Sequence, residues 1–150
     1  MSLFKMPKEL LTKWVEALCS ERYNQACHFL QAKRPDGEVG YCCLGVLQMV
    51  ADGKVEYNSP IGISEPCSLP TLGWYRDHGI ELPEASQQWN DGVGYSLSVH
   101  ALTSEVDEGV RGASAEDKFP RKYELSELND TYNLDFGALA DLIEREAETY

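Results

Sequence analysis

The sequence predicts a single α+β domain in which an N-terminal and a C-terminal helix pack with a central buried helix and a short antiparallel sheet. The chain has 150 residues, 43% of them hydrophobic, which is enough to bury one core. Helical periodicity marks both ends of the chain, and turn chemistry near the first third marks a hairpin. Because no repeat or linker divides the chain, we expect one domain over residues 1–150.

The segment MPKELLTKWVEALCS predicts the first helix. Pro7 suits the first helical position, and Glu9 places a carboxylate in the first turn. The apolar residues that follow recur at helical spacing and form one stripe, which comprises Leu10, Leu11, Trp14, Val15 and Leu18.

The segment HFLQAKRPDGEVGYCC predicts a hairpin, because Pro35, Asp36 and Gly37 favour a turn between two short strands. The apolar run over residues 43–50 is too continuous for a half-exposed element. It predicts a buried helix that ends near Asp52, with Gly53 as its cap.

Residues 54–69 predict short strands and loops, and a brief helix is expected to begin after Pro70 and to end at Gly79. Residues 83–122 are polar and predict an insertion, with a strand pair around Asp91-Gly92 followed by a loop. YELSELND predicts a short helical turn before the closing helix. The buried stripe of that closing helix is predicted to comprise Phe136, Leu139, Ala140 and Ile143.

The net charge of -12 is concentrated in the later part of the chain. Residues 101–150 carry thirteen acidic against five basic side chains. Direct nucleic-acid binding needs clustered Lys and Arg, so this balance argues against it. The acidic surface is either a solvated face that favours solubility or a mimic of a phosphate backbone.

The sequence predicts a cytoplasmic protein with reduced thiols. Its apolar runs are far shorter than the roughly 20 residues that cross a bilayer, and its N-terminus lacks the pattern of a secretion signal. Five cysteines are an odd number, and the neighbours Cys42 and Cys43 would form a strained bridge.

Cys42 and Cys43 are also the candidates for a thiol nucleophile, with His28, His78 or His100 as the base. The favoured interpretation is interior packing, with one thiol facing the core and the other the hairpin. Structural zinc would require Cys27 and His28 to converge with the cysteine pair, since no standard ligand spacing occurs. Phosphate-loop and nucleophile-elbow motifs are absent from the sequence. We therefore predict no catalytic residue, metal or cofactor.

The N-terminal third offers aromatic and guanidinium groups that suit a nucleobase and its phosphates. Near the other end, Asn129 and Asp130 precede the closing helix. In one account, Asp130 or Asn133 caps that helix. In the other, the Asn129 amide and the N-terminus of the helix face a shared pocket for a polar or anionic ligand. The alternative to a nucleobase site in the N-terminal third is that Tyr23 and Tyr41 pack partly inside and that Lys33 and Arg34 solvate the hairpin turn. The predicted ligand-binding residues are Arg22, Tyr23, Tyr41, Cys42, Asn129 and Asp130.

Four fragments in order, EALCSERYNQACHFL, GYCCLGVL, LP…WYRDHGI and ELNDTYNLDFGALADLIE, resemble a family of small uncharacterised proteins of bacteriophages and prophages. The resemblance covers most of the chain except about residues 83–122. In the family, an RSGxYxQ stretch follows the first helix, whereas this chain has Cys19, Glu21 and Cys27 where the family has arginine and glycine. An anion contact made by those family residues would be lost here.

The resemblance implies a phage accessory protein, and small accessory domains of this kind often act against host defence. The favoured hypothesis is a non-enzymatic protein that sequesters a nucleotide-type signal in the host cytoplasm. The alternatives are an acidic DNA mimic that inhibits a host DNA-binding or restriction protein, and a cysteine-dependent enzyme. A homodimer is also possible, with an exposed Trp74 or Trp89 at its seam.

Overall fold

The computed structural model describes residues 4–26, 30–33, 37–55, 70, 72–82, 96–101, 106 and 121–150, and it confirms an α+β fold. Five helices are described: α1 (Lys8–Cys19), α2 (Cys43–Asp52), α3 (Leu72–Asp77), α4 (Leu125–Asp130) and α5 (Phe136–Glu146). The described strands are β1 (Lys5–Met6), β2 (Asn24–Gln25), β3 (Gln31–Lys33), β4 (Val39–Tyr41), β5 (Ser98–Ala101), β6 (Arg121–Glu124) and β7 (Glu148–Thr149).

The described strands form three small sheets. β4 lies at the centre of the largest, where it pairs antiparallel with β3 and parallel with β2. β5 and β6 pair antiparallel, with Val99 opposite Tyr123. β1 and β7 pair parallel and bring the two ends of the described chain together. The predicted hairpin is confirmed as β3–β4, although the central residues of its turn, Pro35 and Asp36, lie outside the described part of the chain.

The core forms around α1, which packs against both α2 and α5. Helical spacing puts Leu11, Trp14 and Leu18 on one buried face of α1, and α5 buries Leu139 and Ile143 on its own. The Trp14 indole N–H donates to the carbonyl oxygen of Cys43 at 2.9 Å, so the largest residue of the α1 stripe also fixes the start of α2.

The YCCLGVL motif begins the central helix. The Cys42 sulfur accepts a hydrogen bond from the Gly45 N–H at 3.4 Å and so caps α2. Cys43 is fully buried, and its thiol lies 3.8 Å from the Leu125 carbonyl oxygen. A Cβ at Gly45 would lie 1.9 Å from the carbonyl oxygen of Leu30, so only glycine permits this approach. Interior packing of both thiols is therefore confirmed.

Several other local predictions are confirmed. α2 ends at Asp52, and Gly53 follows it with a φ of 73°. α3 stops before Gly79, which also has a φ of 73°. The left-handed backbone at both ends is the conformation that glycine adopts without strain. The whole predicted stripe of α5 is buried.

Three predictions about helix ends and exposure are wrong. Pro7 is not the first residue of α1 but the extended residue before it. Neither Asp130 nor Asn133 caps the closing helix, because Asp130 ends α4 and the cap is Asp135. Trp74 is only 4% exposed, because it packs against the end of α2.

The predicted insertion over 83–122 lies mostly outside the described residues, as do residues 56–69 of the segment 54–69 that is predicted to form strands and loops. Asp91, Gly92 and Trp89 also lie outside the described residues. The described part of the insertion includes β5, whose residues Val99 and Ala101 belong to the core. β5 pairs with β6, at the start of YELSELND, and the helical turn predicted there is α4.

Candidate functional site

A groove of about 510 Å³ opens between the end of α1, strand β2 and the start of α5. We call it the Tyr23 groove. It is lined by Leu18, Cys19, Glu21, Tyr23, Asn24, Gln25, Asp135, Phe136 and Gly137. Its volume falls within the range of small-molecule sites in proteins, which is roughly 300–1,000 Å³.

The turn after α1 brings one wall of the groove into place. Ser20 follows the helix, and its hydroxyl accepts a hydrogen bond from the Arg22 N–H at 3.3 Å. Glu21 lies between them with a φ of 61°, a left-handed conformation that is uncommon for a residue with a side chain. This sharp turn directs the chain into β2 and leaves Glu21 at the groove.

Tyr23 supplies the aromatic part of this wall. Its ring meets the Tyr41 ring edge to face, with 5.4 Å between the centroids and 85° between the planes. Such a pair is a favoured aromatic geometry. Both rings are partly buried, so Tyr41 holds Tyr23 in place from behind.

A hydrogen-bond network lies behind the groove. Asn129 is fully buried. Its amide nitrogen donates to the Ala26 carbonyl and to Asp130, each at 2.8 Å, while its oxygen accepts from the Gln25 amide at 2.8 Å. Gln25 also donates to the Leu134 carbonyl at 2.7 Å. Asn129 and Asp130 thus join β2 to α4 and to the turn before α5.

The opposite wall is the first turn of α5. Asp135 is extended, and its carboxylate accepts a hydrogen bond from the Ala138 N–H at 2.8 Å. This is the usual arrangement of an aspartate at a helix N-cap. Phe136 and Gly137 follow and complete the lining of the groove.

Of the six predicted ligand-binding residues, only Tyr23 lines the groove. Arg22 is exposed beside it, and its guanidinium Nε donates to the Ser20 hydroxyl at 3.3 Å. Tyr41, Cys42, Asn129 and Asp130 lie behind the wall or at the start of α2. Their roles in binding stay predictions.

Sequence reasoning missed Glu21, Gln25 and Asp135 as groove residues. The signal for Asp135 was available, since an aspartate directly before an apolar helical stripe is a typical N-cap. No local signal marks Gln25, because its place in the groove depends on hydrogen bonds to residues more than 100 positions away. Glu21 lines the groove because the chain around it meets residues 135–137.

The two thiols at the start of α2 are poor nucleophiles. Burial raises the pKa of Cys42 to about 12, and the nearby Asp130 charge contributes to the rise. Burial also raises the pKa of Cys43 well above its usual value. The thiolate is the reactive form, so both side chains are protonated at neutral pH. This environment argues against an enzyme that uses either cysteine.

A second polar cluster joins the end of α2 to α3, and we call it the Asp52–His78 clasp. His78 Nε2 lies 2.6 Å from Asp52 Oδ1, and His78 Nδ1 lies 2.7 Å from the Trp74 carbonyl oxygen. The Trp74 indole N–H donates to the other Asp52 oxygen at 2.8 Å. The His78 ring also stacks on Trp74, with 4.2 Å between centroids.

The geometry of the clasp favours a doubly protonated imidazole, because both ring nitrogens lie close to oxygen atoms of Asp52 and Trp74. Burial acts to lower the pKa of His78, but the hydrogen bonds to Trp74 and Asp52 outweigh it and raise that pKa. Burial likewise opposes the shift at Asp52, whose pKa is lowered by its bonds from His78 and Trp74. With both nitrogens engaged, His78 has no position from which to act as a general base.

Among the described residues, no three His, Cys, Asp or Glu side chains gather in a way that would hold a metal ion. Cys27 and His28, which the zinc alternative requires, lie outside those residues. The described helices include none with the length and apolar character needed to cross a membrane.

The fold and the groove define a small α+β protein with a candidate ligand groove on its surface. The chain belongs to the family described as a domain of unknown function, DUF8296, whose model matches residues 6–147. No curated protein and no solved structure matches the chain.

Proposed function

We propose that the protein is a non-enzymatic accessory protein that binds a small polar molecule in the Tyr23 groove. The observation that carries this proposal is the groove itself, which combines a suitable volume with aromatic and polar lining residues from three elements. The protonated state of the buried thiols supports a binding role over thiol catalysis.

The biological role follows the resemblance described above. A phage accessory protein in the host cytoplasm would counter host defence by holding a signal molecule. A nucleotide-type signal is the ligand that the sequence predicts, and nucleotides therefore belong among the compounds to be tested.

The walls of the groove are held in place before any ligand arrives. The hydrogen bonds of Gln25 to Asn129 and Leu134 fix β2 relative to the turn before α5. The contact of Tyr23 with Tyr41 fixes the aromatic side chain. Preorganisation of this kind reduces the ordering cost that binding would otherwise incur.

Cys19 provides a direct test, because it lines the groove and its thiol is exposed. The full chain would be treated with iodoacetamide near neutral pH, and mass spectrometry of the peptides would measure alkylation at Cys19 alone. A panel of nucleotides, nucleosides, amino acids and amines would then be screened for protection. A ligand in the groove should slow alkylation of Cys19 and raise the melting temperature.

The Tyr23→Ala variant should lose both effects, because it removes the aromatic wall. Tyr150→Ala is the matched control, since Tyr150 is exposed and does not line the groove. The proposal fails if no compound in the panel protects Cys19, or if protection is unchanged in Tyr23→Ala.

A further inference from the structure

The amide side chains of β2 have no N–H groups left for a ligand. Asn24 Nδ2 donates to Glu38 Oε2 at 2.9 Å and to the Val39 carbonyl oxygen at 3.4 Å. The Gln25 amide nitrogen likewise donates to two acceptors, as described above. A side-chain amide has only two N–H donors, so neither side chain can donate to a ligand in the groove.

The charged side chains of the groove are also acceptors. Glu21 lies on one wall and Asp135 on the other, and an ionised carboxylate can only accept hydrogen bonds. Asp135 also occupies the N-terminus of α5, where it accepts from the Ala138 N–H. An anion arriving there would meet a carboxylate in the position that favours negative charge.

No lysine, arginine or histidine is among the described residues that line the groove. The nearest candidate from the sequence, Arg22, is exposed and is held by Ser20 outside the lining. A phosphate group would therefore enter a site with two carboxylates and no cationic side chain. That arrangement is unfavourable for phosphate, which proteins commonly bind with Arg or Lys side chains. Of the first-turn N–H groups of α5, that of Ala138 is already bound by Asp135.

We infer that the Tyr23 groove binds a positively charged, donor-rich group, either an ammonium or a guanidinium. Tyr23 and Phe136 add aromatic surface to the lining, and cations bind favourably over aromatic rings. The inference rests on the proposed function and names the chemical class of its ligand. A nucleotide could use this groove only through its base, with its phosphates outside.

The test uses the full chain and three probes of different charge: agmatine, adenosine and adenosine monophosphate. Calorimetry would measure affinity, and alkylation of Cys19 would show that the probe occupies the groove. Agmatine should bind at least about 10-fold more tightly than the monophosphate, and its affinity should fall as salt is added because exposed charges are screened.

Two variants that each remove one carboxylate charge show whether agmatine binds at this groove. Glu21→Gln and Asp135→Asn should each weaken agmatine binding by about 2- to 5-fold, the size expected when one exposed charge pair is lost. Asparagine caps helices as well as aspartate does, so the second variant keeps α5 intact. Glu16→Gln is the control, because Glu16 is an exposed carboxylate of α1 outside the groove, and it should leave the affinity unchanged.

The outcomes separate the two proposals. If the monophosphate protects Cys19 and agmatine does not, the cation inference is overturned while the proposed binding function stands. If no compound of the wider panel protects Cys19, the binding function itself fails.

A cationic group could come from a free amine or from the side chain of a protein partner. A capped peptide with a single arginine distinguishes these sources in the same assay. Tighter binding of agmatine supports a small-molecule ligand. Tighter binding of the peptide retains the cation inference but overturns the small-molecule part of the proposed function.

Discussion

Replacement of Gly45 by alanine should destabilise the protein strongly. A Cβ at this position would lie 1.9 Å from the Leu30 carbonyl oxygen and 2.8 Å from its carbon. Real Cβ atoms essentially never approach closer than 3.0 Å, so the backbone at Leu30 must move by more than 1 Å. Overpacking that shifts backbone typically costs about 1–3 kcal/mol.

The clash is with backbone rather than with the end of a side chain, so we expect the upper part of that range. Alanine gains about 1 kcal/mol of intrinsic helix propensity over glycine, which offsets part of the cost. The net loss in the free energy of unfolding should be about 2 kcal/mol or more. Failure to show a cooperative unfolding transition would be the extreme form of the same result.

Gly137→Ala is the matched control, because it makes the same change in a helix without the clash. Its nearest neighbour would be an Asp135 carboxylate oxygen at 3.5 Å, which is ordinary contact. This variant should be neutral or stabilising by up to about 1 kcal/mol. Urea unfolding of the two variants beside the wild type measures the difference, and a Gly45→Ala protein as stable as Gly137→Ala would refute the close approach of α2 to Leu30.

Three further predictions concern stability. The raised pKa of His78 means that its contribution is present below its ordinary value of 6.5 and is lost as pH rises through the folded value. The lowered pKa of Asp52 means that its contribution is present above the ordinary value of 3.8 and is lost as pH falls through the folded value. The clasp should therefore stabilise the fold mainly between about pH 4 and 6.5. The difference in unfolding free energy between the wild type and His78→Gln should shrink as pH rises further. A difference that grows with pH would contradict the pairing of a charged His78 with Asp52. Cys42→Ala removes the cap of α2 and should lower the free energy of unfolding by about 0.5–1 kcal/mol. Cys42→Ser keeps an acceptor and should lower it less, as measured by urea unfolding. Equal losses for the two variants would argue against capping by Cys42. Asn129→Ala leaves buried partners unpaired and should lower the free energy of unfolding by about 2–4 kcal/mol. Asn24 is partly exposed, so Asn24→Ala should lower it by less than about 1 kcal/mol. Similar losses for the two variants in thermal unfolding would contradict the role of the Asn129 network.

The parts of the fold that could be predicted are those in which neighbouring residues carry the signal. The stripe of α5 and the left-handed Gly53 are local features, and both predictions are confirmed. The exposure predicted for Trp74 is wrong, because its hydrogen-bond partner Asp52 lies 22 residues earlier and no local pattern indicates that contact. The β2 strand has only two residues, which is too short for an alternating pattern to be detected.

The candidate site was only partly predictable for the same physical reason. Tyr23 was found because an aromatic residue beside a cation is a recognisable local combination. The groove, however, exists because residues 18–25 meet residues 135–137, and no local pattern indicates that meeting. The charge of the site was also predicted differently: the sequence suggested Arg22, whereas the lining carries Glu21 and Asp135.

The buried network behind the groove allows residues that hold the wall in place to be distinguished from residues that contact the ligand. Gln25 lines the groove, but its amide nitrogen is bound to Asn129 and Leu134 on the far side. Loss of Asn129 should therefore disturb the wall that carries Gln25 and weaken stability and binding together. Loss of charge at Glu21 removes an exposed acceptor that no buried group depends on, so binding should change while the unfolding free energy does not. If Glu21→Gln lowered the ligand affinity and the free energy of unfolding equally, Glu21 would contribute to folding rather than to ligand binding.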